Sequence, residues 1–326
     1  MLILLSVATV FSACSFDEEY GSEFFAMDTV MTINAYGKNS KNAVKSAEKE
    51  ILALDELLSV TNENSDVYKL NKEKSLKLSE KAVELINRGQ EISNLTNGAF
   101  DITTEPLSRA WGFYSNLKNH IPSKKELNKA FRGMGSEHIK INKNTITLDK
   151  NTFIDLGGIA KGYASNKSAD ILKKNGIESA IISLGGNVRT VGTKPDGSLW
   201  NVGIADPDDN SKEIGVVAVD NKAVITSGGY QRYFEQRGKK YHHIINPKTG
   251  YPAESGLKSV TVISDDDTLA DGLSTALFVM GLDKAKELYQ NSGKLFDCVL
   301  ITDDNRIFIT DNIKNNFSSE RDFEIL

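Results

Sequence analysis

The chain has 326 residues, 40% hydrophobic and 25% charged, the balance of a globular protein large enough for one large or two modest domains. Its net charge is −5 and no basic block stands out, which excludes polynucleotide binding driven by whole-chain charge and leaves small anions to local lysines. The two cysteines, Cys14 and Cys298, offer neither a disulfide framework nor zinc-type spacing, so any metal is expected to be held by oxygen.

Residues 1–14 are an apolar stretch ending in small residues before Cys14, too short to cross a bilayer of about 30 Å as a helix. The stretch resembles a lipoprotein signal peptide, with Ser12-Ala13-Cys14 similar to a lipobox in which Cys14 is acylated and becomes the mature N-terminus. It departs from that pattern in having no Lys or Arg before the apolar run, and its alternative reading is a buried first strand. Residues 15–22 are acidic and suit a tether, leaving 23–326 for the folded part, as one unit or as two lobes with a cleft between them.

Residues 24–36 read as strand, 42–58 and 79–96 as amphipathic helices, and 101–112 as a loop carrying Pro106 and Trp111. Pro122 and Ser123 start a helix over 124–131, and 139–148 form a hairpin around Asn142-Lys143-Asn144. Residues 153–154 read as strand and 164–173 as helix, so 155–162 is a strand-to-helix turn. Apolar runs at 180–184, 216–219, 223–225 and 295–301 read as strands, the last burying Cys298. Helices at the front and a strand-rich second half predict an α+β fold, with mixed, largely antiparallel sheets and flanking helices.

The turn reads Asp155-Leu-Gly-Gly-Ile-Ala-Lys161-Gly162, with three glycines and one lysine. A strand-to-helix turn of this kind aims backbone N–H groups at a phosphate, although its spacing fits neither the Walker A nor the dinucleotide fingerprint. Three further small-residue clusters follow strand-like runs: Gly185-Gly186-Asn187, Thr226-Ser227-Gly228-Gly229 and the segment 242–252 beginning His242-His243. Four such loops within roughly 95 residues predict one polar cleft. In the helix predicted over 268–280, Asp271 and Thr275 are four apart and share a face, where a carboxylate and a hydroxyl can both reach a hard cation. The plainer alternative is a carboxylate on the helix dipole and a threonine bonded back to its own helix.

Seven motifs taken together resemble the ApbE family of FAD:protein FMN transferases. They are Ala26-Met27-Asp28-Thr29, Gly98-Ala99-Phe100-Asp101-Ile102, the Asp155 turn, Ser183-Leu-Gly-Gly-Asn187, Ser227-Gly-Gly-Tyr230, His243-Ile-Ile-Asn-Pro-Lys-Thr-Gly250 and Ala270-Asp-Gly-Leu-Ser-Thr275. The resemblance implies a Mg²⁺-dependent enzyme that breaks the pyrophosphate of FAD, moves FMN to a threonine hydroxyl of a partner protein and releases AMP. It puts the metal ligands on Asp271, Thr275 and a main-chain oxygen at Gly158, with Ala160 as the alternative. It puts FAD contacts on Met27, Ala99, Phe100, Asp101, Asp155, Lys161, His243 and Ile245.

For this chemistry Mg²⁺ and Lys161 are expected to neutralise the pyrophosphate and His243 is the candidate to take the hydroxyl proton, its plainer alternative being an ordinary surface histidine; His242, on the other face of a strand, is expected to point away. Thr61 stands where many members of the family carry an aromatic residue, which keeps open a Mg²⁺-dependent FAD pyrophosphatase that passes FMN to water. A non-catalytic flavin-binding lipoprotein is the third reading. The resemblance also implies a threonine-bearing redox subunit of a membrane electron-transfer complex as the acceptor. The chain is then expected on the extracytoplasmic face of the cell membrane, held by the lipid on Cys14.

Overall fold

The computed structural model describes residues 18–114 and 117–326; Cys14 and the apolar stretch before it lie outside the described residues. The fold is α+β, as expected. Its centre is a nine-stranded sheet in the order 19–26, 29–36, 179–184, 187–191, 223–228, 257–264, 297–302, 307–309 and 323–325. Every neighbouring pair is antiparallel except the last.

Over the strands 223–228, 257–264, 297–302 and 307–309 both faces of this sheet are covered, which is why these read as apolar runs, whereas the first two strands alternate and leave one face open. Strand alternation sends Val262 and Leu300 to one side with the helices Ser40–Leu58, Glu80–Leu95, Gly157–Lys174 and Asp267–Met280. Ile263, Val299 and Ile301 face the other side, where they meet Val202, Ile204 and Val217 of a three-stranded sheet. A third apolar cluster joins Leu107, Trp111 and Phe113 to Leu127 and Ile245, and the Trp111 indole donates to the Gly250 carbonyl at 2.7 Å. Among the described residues no helix is long and apolar enough to cross a membrane.

Four local expectations are corrected. The first strand begins at Glu19, inside the stretch read as a tether. The loop expected over 101–112 contains the helix Glu105–Trp111, because Pro106 sits in its first turn, where a missing N–H costs nothing, and Gly112 closes it in the left-handed conformation (φ 72°). Residues 153–154 join no sheet; Ile154 instead exchanges two 2.8 Å bonds with the side chain of Asn71, whose amide takes the place of a strand partner. The helix expected from 164 already starts at Gly157, so Lys161 and Gly162 lie in its second turn rather than in a loop.

Candidate active site

One cleft of about 550 Å³ opens at the end of the sheet where the first hairpin turns, and all twelve candidate flavin, metal and base residues line it. They are Met27, Thr61, Ala99, Phe100, Asp101, Asp155, Gly158, Lys161, His243, Ile245, Asp271 and Thr275. The hairpin contributes Met27 and Asp28, which take φ of 47° and 61° as the central pair of its turn. Side chains rarely occupy such a pair of left-handed positions, and strain of this kind collects at functional sites.

The innermost wall is the crossing of the helices Gly157–Lys174 and Asp267–Met280. A Cβ on Gly162 would lie 2.3 Å from the Asp267 carbonyl and 2.7 Å from the Asp271 Cβ, so only glycine allows this approach. The bare backbone then donates its N–H to Oδ2 of Asp271 at 2.8 Å. In a regular helix that N–H serves the carbonyl of residue 158, so Asp271 competes with the Gly158 oxygen for one donor. Burial pushes the Asp271 carboxyl above its usual range, opposed by the Lys161 charge, the Gly162 N–H and the Asn187 amide. One turn on, the Thr275 hydroxyl lies 3.4 Å from Ser227 Oγ, which itself bonds Ser274 at 2.7 Å.

Asp155 precedes the first of these helices. Its Oδ1 accepts the Gly157 N–H at 2.8 Å, closing an Asx turn, and its Oδ2 accepts the Tyr114 phenol at 2.8 Å. The Arg109 guanidinium lies 5.3 Å from the Tyr114 ring centre and is clamped at 2.5 Å to the buried carboxylate of Glu105. Burial, then the charges of Asp155 and Glu105, push the Tyr114 phenol well above its usual pKa, so it stays a donor. Asp101 is held in the same manner, Oδ1 accepting from the N–H and hydroxyl of Thr103 at 2.7 and 2.6 Å, and burial raises its pKa.

His243 lines the cleft just beyond the strand Lys239–His242, whereas His242 does not. The His243 Nδ1 stands 3.1 Å from the Arg232 carbonyl, an acceptor only, so Nδ1 carries the proton and Nε2 the lone pair. Burial, together with the charges of Arg232, His242 and Lys161, lowers its pKa to about 4 against the opposing pull of the Arg232 carbonyl. His242 turns away, its Nε2 on the Ala253 carbonyl at 3.1 Å and its ring edge-on to Phe278 at 5.4 Å.

Tyr114, Arg232 and Asp28 line the cleft as well and were missed in the sequence. Tyr114 stands two residues beyond Gly112, outside every glycine turn, and nothing in its spacing connects it to Asp155 forty-one residues on. The lining carries five aspartates against two cations, Lys161 and Arg232, an excess of negative charge that opposes a pyrophosphate. Among the described residues no three His, Cys, Asp or Glu side chains form a metal cluster. The Asp271 carboxylate, the Thr275 and Ser227 hydroxyls and the Gly158 carbonyl are all hard oxygen donors. Such a sparse shell fits Mg²⁺, which keeps waters and takes phosphate oxygens, and it does not fit a soft metal.

The family model for the ApbE family matches residues 27–300. The chain is 34% identical over 241 residues to the FAD:protein FMN transferase of Vibrio cholerae serotype O1, covering 70% of this chain and 72% of that one. It is 31% identical over 280 residues to the enzyme of the same name from Salmonella typhimurium, covering 82% and 80%. Among solved structures, the ApbE protein from Thermotoga maritima superposes with a TM-score of 0.85 at 32% identity, over 94% of this chain and 100% of that one. The flavin transferase ApbE from Vibrio cholerae superposes with a TM-score of 0.82 at 27% identity, over 92% and 99%. With the motifs, the fold and these matches in agreement, the chain belongs to the ApbE family.

Proposed function

We propose that this chain is a transferase that moves FMN from FAD to a threonine hydroxyl of a protein and releases AMP. The observation that carries the reading is the convergence, in one cleft, of a neutral histidine, a lysine with no ion pair among the described residues and the oxygen donors of Asp271 and Thr275. The acceptor oxygen attacks the phosphorus of the FMN half. The bond from that phosphorus to the bridging oxygen breaks, AMP carries away the bridging oxygen, and the hydroxyl proton passes to Nε2 of His243. The product is an FMN phosphoester on the protein.

Lys161 sits in the second turn of its helix, on the cleft side, where it can neutralise phosphate oxygens. Asp155, fixed on both oxygens, and Phe100 shape the wall against which the flavin rests. Mg²⁺, held by Asp271, Thr275 and the Gly158 carbonyl, supplies charge neutralisation of the pyrophosphate when bound. A binder without catalysis would have no use for a base whose lone pair is directed by a backbone carbonyl.

The acceptor under this reading is a threonine-bearing redox subunit at a membrane, and the chain reaches it from the extracytoplasmic face through a lipid on Cys14. Intact mass of such a subunit after incubation with FAD and Mg²⁺ tests the transfer; AMP and free FMN with no gain in mass make the chain a pyrophosphatase instead.

A further inference from the structure

We infer that the outer edge of the strand Glu19–Ala26 is where the acceptor protein docks, by adding an extended segment next to its hydroxyl as a tenth strand of the central sheet. This rests on the transfer reading above and names the partner surface of that same cleft.

The strand is the end member of the sheet and, among the described residues, pairs only with Thr29–Tyr36. Its eight residues stay in register throughout, with no bulge or proline; of the devices that ordinarily guard an exposed edge it carries only the charges of Glu19 and Glu23. Which backbone groups are open follows from one bond. The Gly37 N–H donates to the Glu18 carbonyl at 3.0 Å, which makes 18 and 37 a hydrogen-bonded pair; antiparallel alternation then gives residues 20, 22, 24 and 26 to the neighbouring strand. The N–H and C=O groups of Glu19, Gly21, Glu23 and Phe25 therefore point outward, a ladder with one side unfilled among the described residues.

That ladder runs into the reaction cleft. Phe25 lines the cleft mouth and Met27, two residues on, lines the cleft itself. Phe25 is 65% exposed and sits directly across from Val30, which is 56% exposed, so the end of the strand nearest the cleft offers an apolar seat for an alternate side chain of an added strand. A strand laid on this edge delivers its next residues to the phosphate without further searching, which is what a hydroxyl nucleophile on a protein needs. Glu19 and Glu23 share the exposed face of the edge, so self-pairing of two copies sets like charges against each other, while a neutral or basic acceptor segment is favoured.

The test uses the full chain, FAD, Mg²⁺ and a purified threonine-bearing redox subunit, comparing wild type with Glu23→Pro and Glu23→Ala. Proline removes one outward N–H and no bond inside the sheet; alanine removes the side chain and keeps that N–H. Glu23→Pro is expected to raise the acceptor KM about tenfold with the FAD KM unchanged, and Glu23→Ala to leave both near wild type. If the proline variant does not fold, amide exchange of wild type decides: Glu19, Gly21, Glu23 and Phe25 are expected to slow at least about tenfold when the subunit is added, with the alternate residues already slow. Equal acceptor KM in all three proteins, exchange indifferent to the subunit, or protection that grows with chain concentration alone overturns the docking edge. Failure of wild type to consume FAD at all is instead the failure of the transfer reading.

Discussion

The backbone N–H of Gly162 meets Oδ2 of Asp271 at 2.8 Å across a helix crossing too tight for any side chain at 162. That contact ties the geometry of the Asp271 carboxylate, the proposed Mg²⁺ ligand, to the packing of two helices. Gly162→Ala is expected to cost about 1–3 kcal/mol of stability by overpacking and to raise the Mg²⁺ concentration needed for half-maximal AMP release. Urea unfolding and a Mg²⁺ titration of activity measure the two effects separately.

Asp271→Asn keeps the shape of the side chain and removes its charge from beside Lys161. The rate of AMP release is expected to fall by about 10²–10³, with FAD binding, followed by flavin fluorescence, changed only several-fold. Chelation of Mg²⁺ in wild type is expected to give the same loss, and chelation is expected to add nothing to the variant.

His243 has its pKa lowered to about 4, so the imidazole is neutral and competent as a base well below the pH at which an exposed histidine protonates. The acid limb of kcat/KM is therefore expected below pH 5 rather than near 6.5. His243→Ala is expected to lower kcat by about 10²–10⁴ with little change in FAD affinity. A full pH profile of wild type beside the alanine variant checks both.

Tyr114→Phe removes the phenol from Oδ2 of Asp155 and leaves the Gly157 N–H on Oδ1. A hydrogen bond to a charged group contributes about 1.5–3 kcal/mol, so FAD binding is expected to weaken by about tenfold or more if the orientation of Asp155 matters. In an Asp155→Ala background the same change is expected to do nothing, and fluorescence titration of the four proteins reads the coupling.

Arg189 and Asp267 form a buried pair at 2.6 Å at the start of the helix that carries Asp271, and Asp267 also accepts from the Ser165 hydroxyl. Burial raises the Asp267 carboxyl to about 6 despite the arginine. The folded chain binds that proton more tightly than the unfolded one, so the stability contributed by this group declines as pH rises from about 4 to about 6. Arg189→Ala is expected to destabilise by about 3–5 kcal/mol at neutral pH and, by removing the charge that opposes burial of the carboxyl, to extend that decline to higher pH, read by urea unfolding across pH.

The lining of the cleft was legible where it depends on local spacing. Asp271 and Thr275 share a helix face by their separation alone, and glycines beside a lysine marked the helix start that carries Lys161. What spacing cannot give is the partner from a distant segment. Asn71 standing in for a strand beside Ile154 and Tyr114 on Asp155 are long-range contacts that no period or motif encodes. The misjudged helix start has a local cause: Gly157, Gly158 and Gly162 have poor helix propensity, yet packing against Asp267–Met280 overrides it. The helix at Glu105–Trp111 was hidden by Pro106, which reads as a breaker unless its first-turn position is known.

The most direct test of the account is intact mass of a threonine-bearing redox subunit after incubation with this chain, FAD and Mg²⁺, with AMP measured in the same tube. A gain of one FMN on the subunit, matched by AMP and abolished by Asp271→Asn, is the predicted result. AMP and free FMN with no gain on a competent acceptor, or no consumption of FAD at all, would contradict it.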